Sequence, residues 1–341
     1  MLTLIAFTSL ASAADVTDMP SNLRGDVSFS YEYSQQWSKL MEASETVGEV
    51  AEASGIINLE GEFSVYNSIS LTFALPMWVN HSISWANPRT MAWDPIEDSG
   101  SMLYGTPIED GVEPHSGSGL GGASFGLRVS PVSEARGAKA SWVIGLSQQL
   151  RDNSNIFTGS GEEAGAGYGA GATSITNAFS TTFGNSNPYI ELRWDRRGLH
   201  TADGIDTETG EAGSVELASG NSASFVSGVE FITTSSANNQ SWFRTDIWGG
   251  ARYNAWSEVP SGTYLPNVLG STEDSTVVSG EYIEYSLGLG GHWRVLPTMQ
   301  IDLSLELGTN SPIQLESAYP IYTSAISPKI TGGIQASFFY Q

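Results

Sequence analysis

The chain has 341 residues, of which 37 are acidic and 14 are basic, and its formal net charge is −23. Such an acidic molecule repels phosphate, which argues against nucleic acid as a partner. The absence of cysteine excludes disulfides, thiol catalysis and cysteine-ligated metal. Charged residues make up only 15% of the chain, against about a quarter in a typical soluble domain.

The N-terminus has the pattern of a secretory signal. Leu2–Leu10 is a short apolar run, too short to span a bilayer as a helix, and Ala11-Ser12-Ala13 matches an A-x-A cleavage site. We therefore predict a signal peptide over residues 1–13 and a single domain over 14–341. The basic residues that usually precede the apolar run are missing, which is consistent with a signal truncated at its start. A buried N-terminal strand is the alternative.

The first predicted strands alternate apolar and polar residues with the period of two that places them on opposite faces. Asp26–Ser34 is the first strand, and a polar loop that contains four glutamates follows it. The next two strands, Ile57–Val65 and Ile69–Val79, flank a tight turn at Asn67-Ser68. This pair reads as a β-hairpin.

The same alternation recurs through the rest of the chain. After a long Pro-, Gly- and acid-rich segment from Asn80 to Leu120, further strands are predicted at 123–129, 139–149, 175–183, 188–196, 223–231, 243–253, 283–289, 299–307 and 330–340. The clearest is Met299–Leu307, in which five apolar residues alternate with Gln300, Asp302, Ser304 and Glu306. About twelve strands result.

The connections between these strands are alternately long and short. Short periplasmic turns, long extracellular loops and strands near ten residues are typical of outer-membrane barrels. The predicted fold is therefore all-β, a transmembrane up-and-down antiparallel β-barrel of about 12 strands located in the cell outer membrane. A soluble β-sandwich or jelly roll is the alternative, but it gives no reason for the alternation of loop length.

Aromatic residues concentrate near the predicted strand ends, as expected for two belts at the membrane interfaces. The predicted members are Trp37, Trp78, Trp194, Tyr253 and Trp256 near the long loops, and Tyr66, Tyr189, Trp242, Trp293 and Tyr340 near the short turns.

The end of the chain resembles the C-terminal signal that the outer-membrane assembly machinery recognises. Ile334, Phe338 and Tyr340, with Ala336, form its alternating apolar pattern, and Gln341 extends one residue beyond the usual aromatic end. With the N-terminal signal, the chain resembles Gram-negative outer-membrane barrels of the porin or small-solute transporter type. Its long polar loops, and the lack of a plug ahead of the first strand, are also similar to the barrel transporters associated with phenol degradation.

Charged residues on the polar faces of the predicted strands are the candidate lumen and selectivity residues. They are Glu60, Glu62, Arg128, Glu191, Arg193, Glu230, Arg244, Asp246, Arg252, Glu284, Arg294, Asp302 and Glu306. If the Ser236–Gln240 turn is symmetric, Glu230 lies opposite Arg244, close enough to pair. Such a network either selects small solutes in a pore or plugs a barrel without conductance.

Acidic residues of the predicted outer loops suggest a second type of site. Asp206–Glu211 loosely resembles an oxygen-ligand calcium loop, and the acidic loops as a group suggest divalent cations bridging to lipopolysaccharide. The alternative is a solvated repulsive surface, so the metal content stays open. No cofactor is expected.

An outer-membrane channel accounts for most of these features. Small solutes would cross it by passive diffusion through a charged lumen. A structural or adhesive surface barrel without conductance is the alternative. An outer-membrane lipid-modifying enzyme is third, because His81 and Ser82 fall on opposite faces of one strand and His115 lies in a loop. We therefore expect no enzyme activity. The expected partners are the lipid bilayer, lipopolysaccharide, the assembly machinery and a small solute.

Overall fold

The computed structural model describes residues 19, 23–42, 45–86, 102–104, 115–151, 170–206, 212–235, 241–260, 276–316, 322–324 and 327–340. Twenty strands lie in this part of the chain, and we number them β1–β20 in chain order. A short 3-10 helix, Glu134–Arg136, lies in one of the short connections and ends at Gly137, whose φ of 87° favours glycine. Among the described residues, no helix is long and apolar enough to cross a membrane.

Twelve of the strands form the wall of a barrel. They are β1 (Gly25–Glu42), β2 (Glu45–Tyr66), β3 (Ile69–Ala86), β6 (Ser124–Val132), β7 (Ser141–Gln149), β8 (Ala172–Ser180), β9 (Ser186–Arg197), β12 (Ser222–Ser235), β13 (Trp242–Asn254), β16 (Tyr282–Leu296), β17 (Met299–Asn310) and β20 (Lys329–Tyr340).

Each of these strands pairs antiparallel with the next one along the chain. The ring closes where β20 pairs with β1, from Gly25 opposite Tyr340 to Gln36 opposite Lys329. Closure leaves no strand edge in the wall, as a membrane-spanning sheet requires. The predicted up-and-down barrel of about twelve strands is confirmed.

The other eight strands lie in the long connections. They are β4 (Met102–Tyr104), β5 (His115–Leu120), β10 (Leu199–Asp206), β11 (Ala212–Ala218), β14 (Ser257–Pro260), β15 (Thr276–Ser279), β18 (Ile313–Glu316) and β19 (Tyr322–Ser324). Strands β4, β10 and β11 form a separate three-stranded sheet, whereas the other five extend the barrel sheet.

The two faces of the wall differ as the alternation predicts. In β17, Leu303, Leu305 and Leu307 are about half exposed on the outside, whereas Asp302 is 1% exposed on the inside. Large apolar side chains cover the outside of other strands too, for example Phe29, Phe125 and Leu287. A closed sheet with an apolar exterior and a polar interior is the pattern of a barrel that faces lipid.

The first hairpin is taller than predicted. Strands β1 and β2 have 18 and 22 residues and stay paired up to Glu42 opposite Glu45. The polar loop expected after Ser34 is wrong, because this stretch continues both strands. At about 3.3 Å per residue, the hairpin extends well past an apolar band of about 25 Å.

Three aromatic residues of the predicted belts point into the barrel instead. Trp78 and Tyr189 are 4% and 2% exposed, and Trp242 lies against an internal cavity. The remaining predicted belt residues, including Trp37, Trp194, Trp293 and Tyr340, are exposed. Position near a strand end therefore does not decide which face an aromatic side chain occupies.

Candidate functional site: the barrel lumen

The structure places all thirteen predicted lumen residues on the inward face of the wall, and all of them are buried or half-buried. Glu60, Glu62, Arg128, Glu191, Arg193, Arg244 and Arg294 line one internal cavity. The other six, Glu230, Asp246, Arg252, Glu284, Asp302 and Glu306, lie on the inward face of β12, β13, β16 and β17, outside the cavity lining.

The cavity has a volume of about 660 Å³ and runs obliquely along the wall. Nine cross-strand neighbours form a continuous row along its lining, from β13 through β16, β17, β20, β1, β2, β3 and β6 to β7. They are Trp242, Arg294, Gln300, Ser337, Ser28, Glu60, Ala74, Ser124 and Gln149. We call this set the lumen row.

The lumen row climbs the barrel because the strands are tilted. Trp242 is the first residue of β13, immediately after a short connection, whereas Gln149 is the last residue of β7, before a long one. One cavity lining therefore reaches both ends of the wall.

An ion pair borders the middle of the cavity. The Arg128 guanidinium on β6 binds the Glu62 carboxylate on β2, which also accepts a hydrogen bond from the hydroxyl of Ser70 on the intervening strand β3. Three adjacent strands thus contribute to one group of contacts. A partly buried, hydrogen-bonded pair of this kind holds both side chains against the wall.

A second polar group surrounds the buried carboxylate of Asp195. Arg193 Nε and Arg252 Nη2 donate to its two oxygens at 2.7 and 3.1 Å. The Ser222 hydroxyl donates to Asp195 at 3.1 Å, and Arg252 also donates to that hydroxyl at 2.9 Å. This carboxylate is therefore saturated by partners from β9, β12 and β13.

Glu230 and Arg244 are in contact, but not through the predicted register. The Arg244 guanidinium donates to Glu230 Oε2 at 3.1 Å, and Asn187 Nδ2 donates to the same oxygen at 2.8 Å. Arg244 lies opposite Ile232, and Glu230 lies opposite Asp246. The predicted placement of Glu230 directly opposite Arg244 is therefore wrong, and the ion pair runs diagonally between the two strands.

Two cavity carboxylates differ from these paired ones. Among the described residues, neither Glu60 nor Glu191 has an ion-pair or hydrogen-bond partner, although Arg193 and Arg128 lie near enough to Glu191 to attract it. Glu60 is on β2 and Glu191 is on β9, nearly opposite strands of the ring. The cavity thus carries carboxyl groups without an ion-pair partner on two walls.

Aromatic side chains occupy the inside of the remaining wall. The Tyr189 ring lies over Gly228 on β12, and its hydroxyl donates to Asp246 Oδ2 at 3.0 Å. The Trp248 ring lies over Gly288 on β16, and its Nε1 donates to Glu306 Oε2 at 3.3 Å. The sequence interpretation missed Trp248, although alternation places this residue on the same face of the strand as Asp246 and Arg252.

Two histidines also point into the barrel. His292 Nδ1 lies 2.8 Å from Asp302 Oδ1, which also accepts a hydrogen bond from Gln300. His81 Nε2 lies 3.0 Å from Glu52 Oε1, and its ring stacks on Trp78. A register shift between Trp78 and His81 puts His81 on the inward face, which simple alternation does not anticipate.

No protein-family model matches the chain, and no curated protein matches it. Solved structures do. An outer membrane channel from Pseudomonas putida F1 is similar with a TM-score of 0.52 and 10% identity, over 97% of this chain and 100% of that one. A FadL homologue from Pseudomonas aeruginosa has a TM-score of 0.45 and 10% identity, over 92% and 90% of the two chains.

The fold is that of an outer-membrane β-barrel. The closed ring, the apolar exterior and the likeness to the P. putida channel agree on this. In that barrel the predicted assembly-signal residues Ile334, Phe338 and Tyr340 lie on the lipid side of β20, 49%, 38% and 63% exposed.

Metal sites were left open by the sequence. Among the described residues, no group of three or more His, Asp or Glu side chains could hold a metal ion. The possible calcium loop after Asp206 and most of the acidic outer-loop residues lie outside the described residues, so that prediction stays untested.

Proposed function

We propose that the protein is a channel of the cell outer membrane that passes small polar solutes by passive diffusion. The apolar exterior and the closed ring suit a bilayer, and the similar solved structure from P. putida is itself described as an outer membrane channel. Mature protein would begin near Ala14, after the predicted signal peptide.

The lumen row is the observation that carries this proposal. Its members are hydrogen-bonding or charged side chains, apart from Ala74, and one cavity lining follows them from Trp242 to Gln149. Polar groups at successive heights can replace the water lost by a solute as it moves. A barrel built only as a support would have no need of such a lining.

The net charge of −23 favours cations and neutral solutes over anions, because it surrounds the mouth with a negative field. Inside the cavity, Arg128 and Arg193 are engaged by Glu62 and Asp195, whereas Glu60 and Glu191 have no ion-pair partner among the described residues. Arg244 and Arg294 line the same cavity, so the preference rests mainly on the field at the mouth.

Planar-bilayer recording of the refolded protein tests the proposal. We expect discrete conductance steps and a reversal potential, in a potassium chloride gradient, that indicates preference for potassium. The control is the same preparation before refolding, identified by the lack of heat-modifiable migration in gel electrophoresis. Correctly folded protein that shows no conductance would contradict the channel function.

A structural or adhesive barrel is the second candidate. It is favoured by the tall hairpin of β1 and β2 and by the inward aromatic rings of Tyr189 and Trp248, which reduce the open cross-section. In that case the function would depend on the outer surface. Removing the upper part of the hairpin would then abolish surface binding while the barrel still folds.

The expected partners follow from the location. The outward row of Ile334, Phe338 and Tyr340 would be recognised by the assembly machinery, and the apolar exterior would contact lipid and lipopolysaccharide. We propose no enzymatic activity. A lipid-modifying enzyme would be revealed by hydrolysis of phospholipid by the purified barrel.

A further inference from the structure

The interior of the barrel is divided into two unlike parts. The cavity is lined chiefly by β20, β1, β2, β3 and β6–β9, with Trp242, Arg244, Arg294 and Gln300 at one end. Across the neighbouring strands β9, β12, β13, β16 and β17, the inside is instead covered by two large rings, those of Tyr189 and Trp248, and by the polar groups that hold them.

Each ring crosses a glycine on the adjacent strand. A Cβ added at Gly288 would lie 2.0 Å from Trp248 Cε2, and one added at Gly228 would lie 2.6 Å from Tyr189 Cζ. Real side chains do not approach so closely, so both rings occupy space that only a glycine leaves free. Each ring therefore extends over the inner face of the neighbouring strand.

Each ring is also anchored at its far side. The Trp248 side chain on β13 extends over β16 and donates a hydrogen bond to Glu306 on β17 at 3.3 Å. The Tyr189 side chain on β9 extends over β12 in the same way and donates to Asp246 on β13 at 3.0 Å. Tyr189 and Ala178 form a buried cluster against which Trp248 and Val226 pack. Ala178 also lines the cavity, so this cluster adjoins the cavity, although neither ring is among the lining residues.

We propose that Tyr189 and Trp248 set the bore of the channel and so determine the largest solute that can pass. The inference rests on the proposed channel function. Both rings are held at their far ends and lie over a glycine, so they form a fixed part of the wall. A fixed wall is suited to selection by size, whereas a gate would need a mobile part. The solutes admitted would be small and polar, because the free part of the lumen is narrow and lined by charged groups.

Trp248→Ala tests the proposal, with Trp293→Ala as the matched control because Trp293 points to lipid and is 51% exposed. In planar bilayers we expect single-channel conductance to rise roughly twofold or more on removal of Trp248, because pore diameter limits passage. Neutral polyethylene glycols of graded size should enter liposomes up to a larger cut-off. Trp293→Ala should change neither quantity.

Gly288→Ala supplies a change in the opposite direction. Its methyl group would displace the Trp248 ring toward the free space, so conductance should fall while the charge of the lumen is unchanged. For each variant, heat-modifiable migration identifies the folded fraction before recording. If Trp248→Ala fails to fold, Trp248→Phe keeps an apolar ring and should give a smaller rise.

The outcomes separate the inference from the function on which it rests. If the wild type conducts, and folded Trp248→Ala has the same conductance and the same size cut-off, the bore assignment is overturned and the channel function stands. A silent wild type with a conducting Trp248→Ala contradicts passive diffusion and supports the two rings as the obstruction. Silence of wild type and variant alike overturns both.

Discussion

Glu60 on β2 and Glu191 on β9 line the same cavity from nearly opposite sides of the barrel, and among the described residues neither has an ion-pair or hydrogen-bond partner. The neighbouring carboxylates Glu62 and Asp195 are each bound by arginine. The cavity therefore combines arginine–carboxylate pairs with two carboxyl groups that have no such partner among the described residues.

Replacing Glu60 with Gln should reduce the preference for potassium over chloride several-fold, and Glu60→Gln with Glu191→Gln should reduce it further. The reason is that opposite charges at close range select among ions entering a narrow lumen. Reversal potentials in a salt gradient measure the effect. Glu284→Gln is the control, since Glu284 faces inward outside the cavity lining; an equal loss there would argue against a specific role for Glu60.

Glu230→Gln should destabilise the barrel. Glu230 is completely buried and accepts hydrogen bonds from Arg244 and Asn187, so its neutralisation leaves a partly buried guanidinium without its counter-charge. We expect a loss of about 2–3 kcal/mol, less than for a fully buried pair because the Arg244 side chain keeps 20% exposure.

Urea-induced unfolding in detergent, followed by gel migration, measures that loss. The matched variant is Glu216→Gln, which removes the exposed partner of Arg151 and should cost less than about 1 kcal/mol. Equal unfolding midpoints for the two variants would contradict the proposed importance of the buried pair.

Acid should open the three-stranded sheet outside the barrel wall. Burial, with the nearby Arg151 guanidinium adding to it, lowers the pKa of His200 from 6.5 to about 4. The folded sheet therefore holds this imidazole neutral. Its stabilisation is complete above the unfolded pKa near 6.5 and is lost progressively as the pH falls toward 4, where the unfolded sheet binds the extra proton.

Hydrogen exchange of residues 199–206 and 212–218 at pH 7, 5 and 4 measures this opening. His200→Gln cannot titrate, so its exchange, corrected for the intrinsic rate at each pH, should be flatter across the range. A wild-type sheet that is equally protected at pH 7 and pH 4 would show that the imidazole does not control it.

Tyr340→Ala and Phe338→Ala should lower the yield of folded protein in the outer membrane, because both rings lie on the lipid side of the closing strand. Phe339→Ala provides the comparison within the same strand. Phe339 faces the lumen, where the Arg294 guanidinium stacks on its ring at 4.4 Å. Fractionation of cells followed by immunoblotting gives the yields. Equal losses at all three positions would point to general destabilisation of β20 rather than recognition of its outer face.

The fold was largely accessible from the sequence because the period of two directly reports which side of a wall a residue occupies. Met299–Leu307 shows this most clearly, since its leucines are exposed and Asp302 is buried, as predicted. The height of the β1–β2 hairpin was not accessible. Residues such as Gln35, Gln36 and Lys39 place polar side chains on both faces beyond the apolar band, so the sequence of a strand there resembles that of a loop.

The contacts inside the lumen were less accessible than the faces. Arg244 lies opposite Ile232, two residues along the strand from Glu230, and an irregularity beside Trp78 brings His81 inward. Alternation carries no information on such irregularities or on which inward residues share a cavity. Tyr189 shows a further limit. Alternation places it on the same face as Glu191, toward the lumen, whereas its position near a strand end suggests an aromatic belt at the membrane interface.

The obliqueness of the lumen row has a consequence for how solute preference could change over time. The row takes one residue from each of nine of the twelve wall strands, between the short-turn end and the long-loop end of the wall. In the proposed channel, each of these strands would present its residue of the row at a different height. A single substitution in the row would therefore change the lining at one height, while the lipid-facing side, which is formed by the alternate residues, stays unchanged.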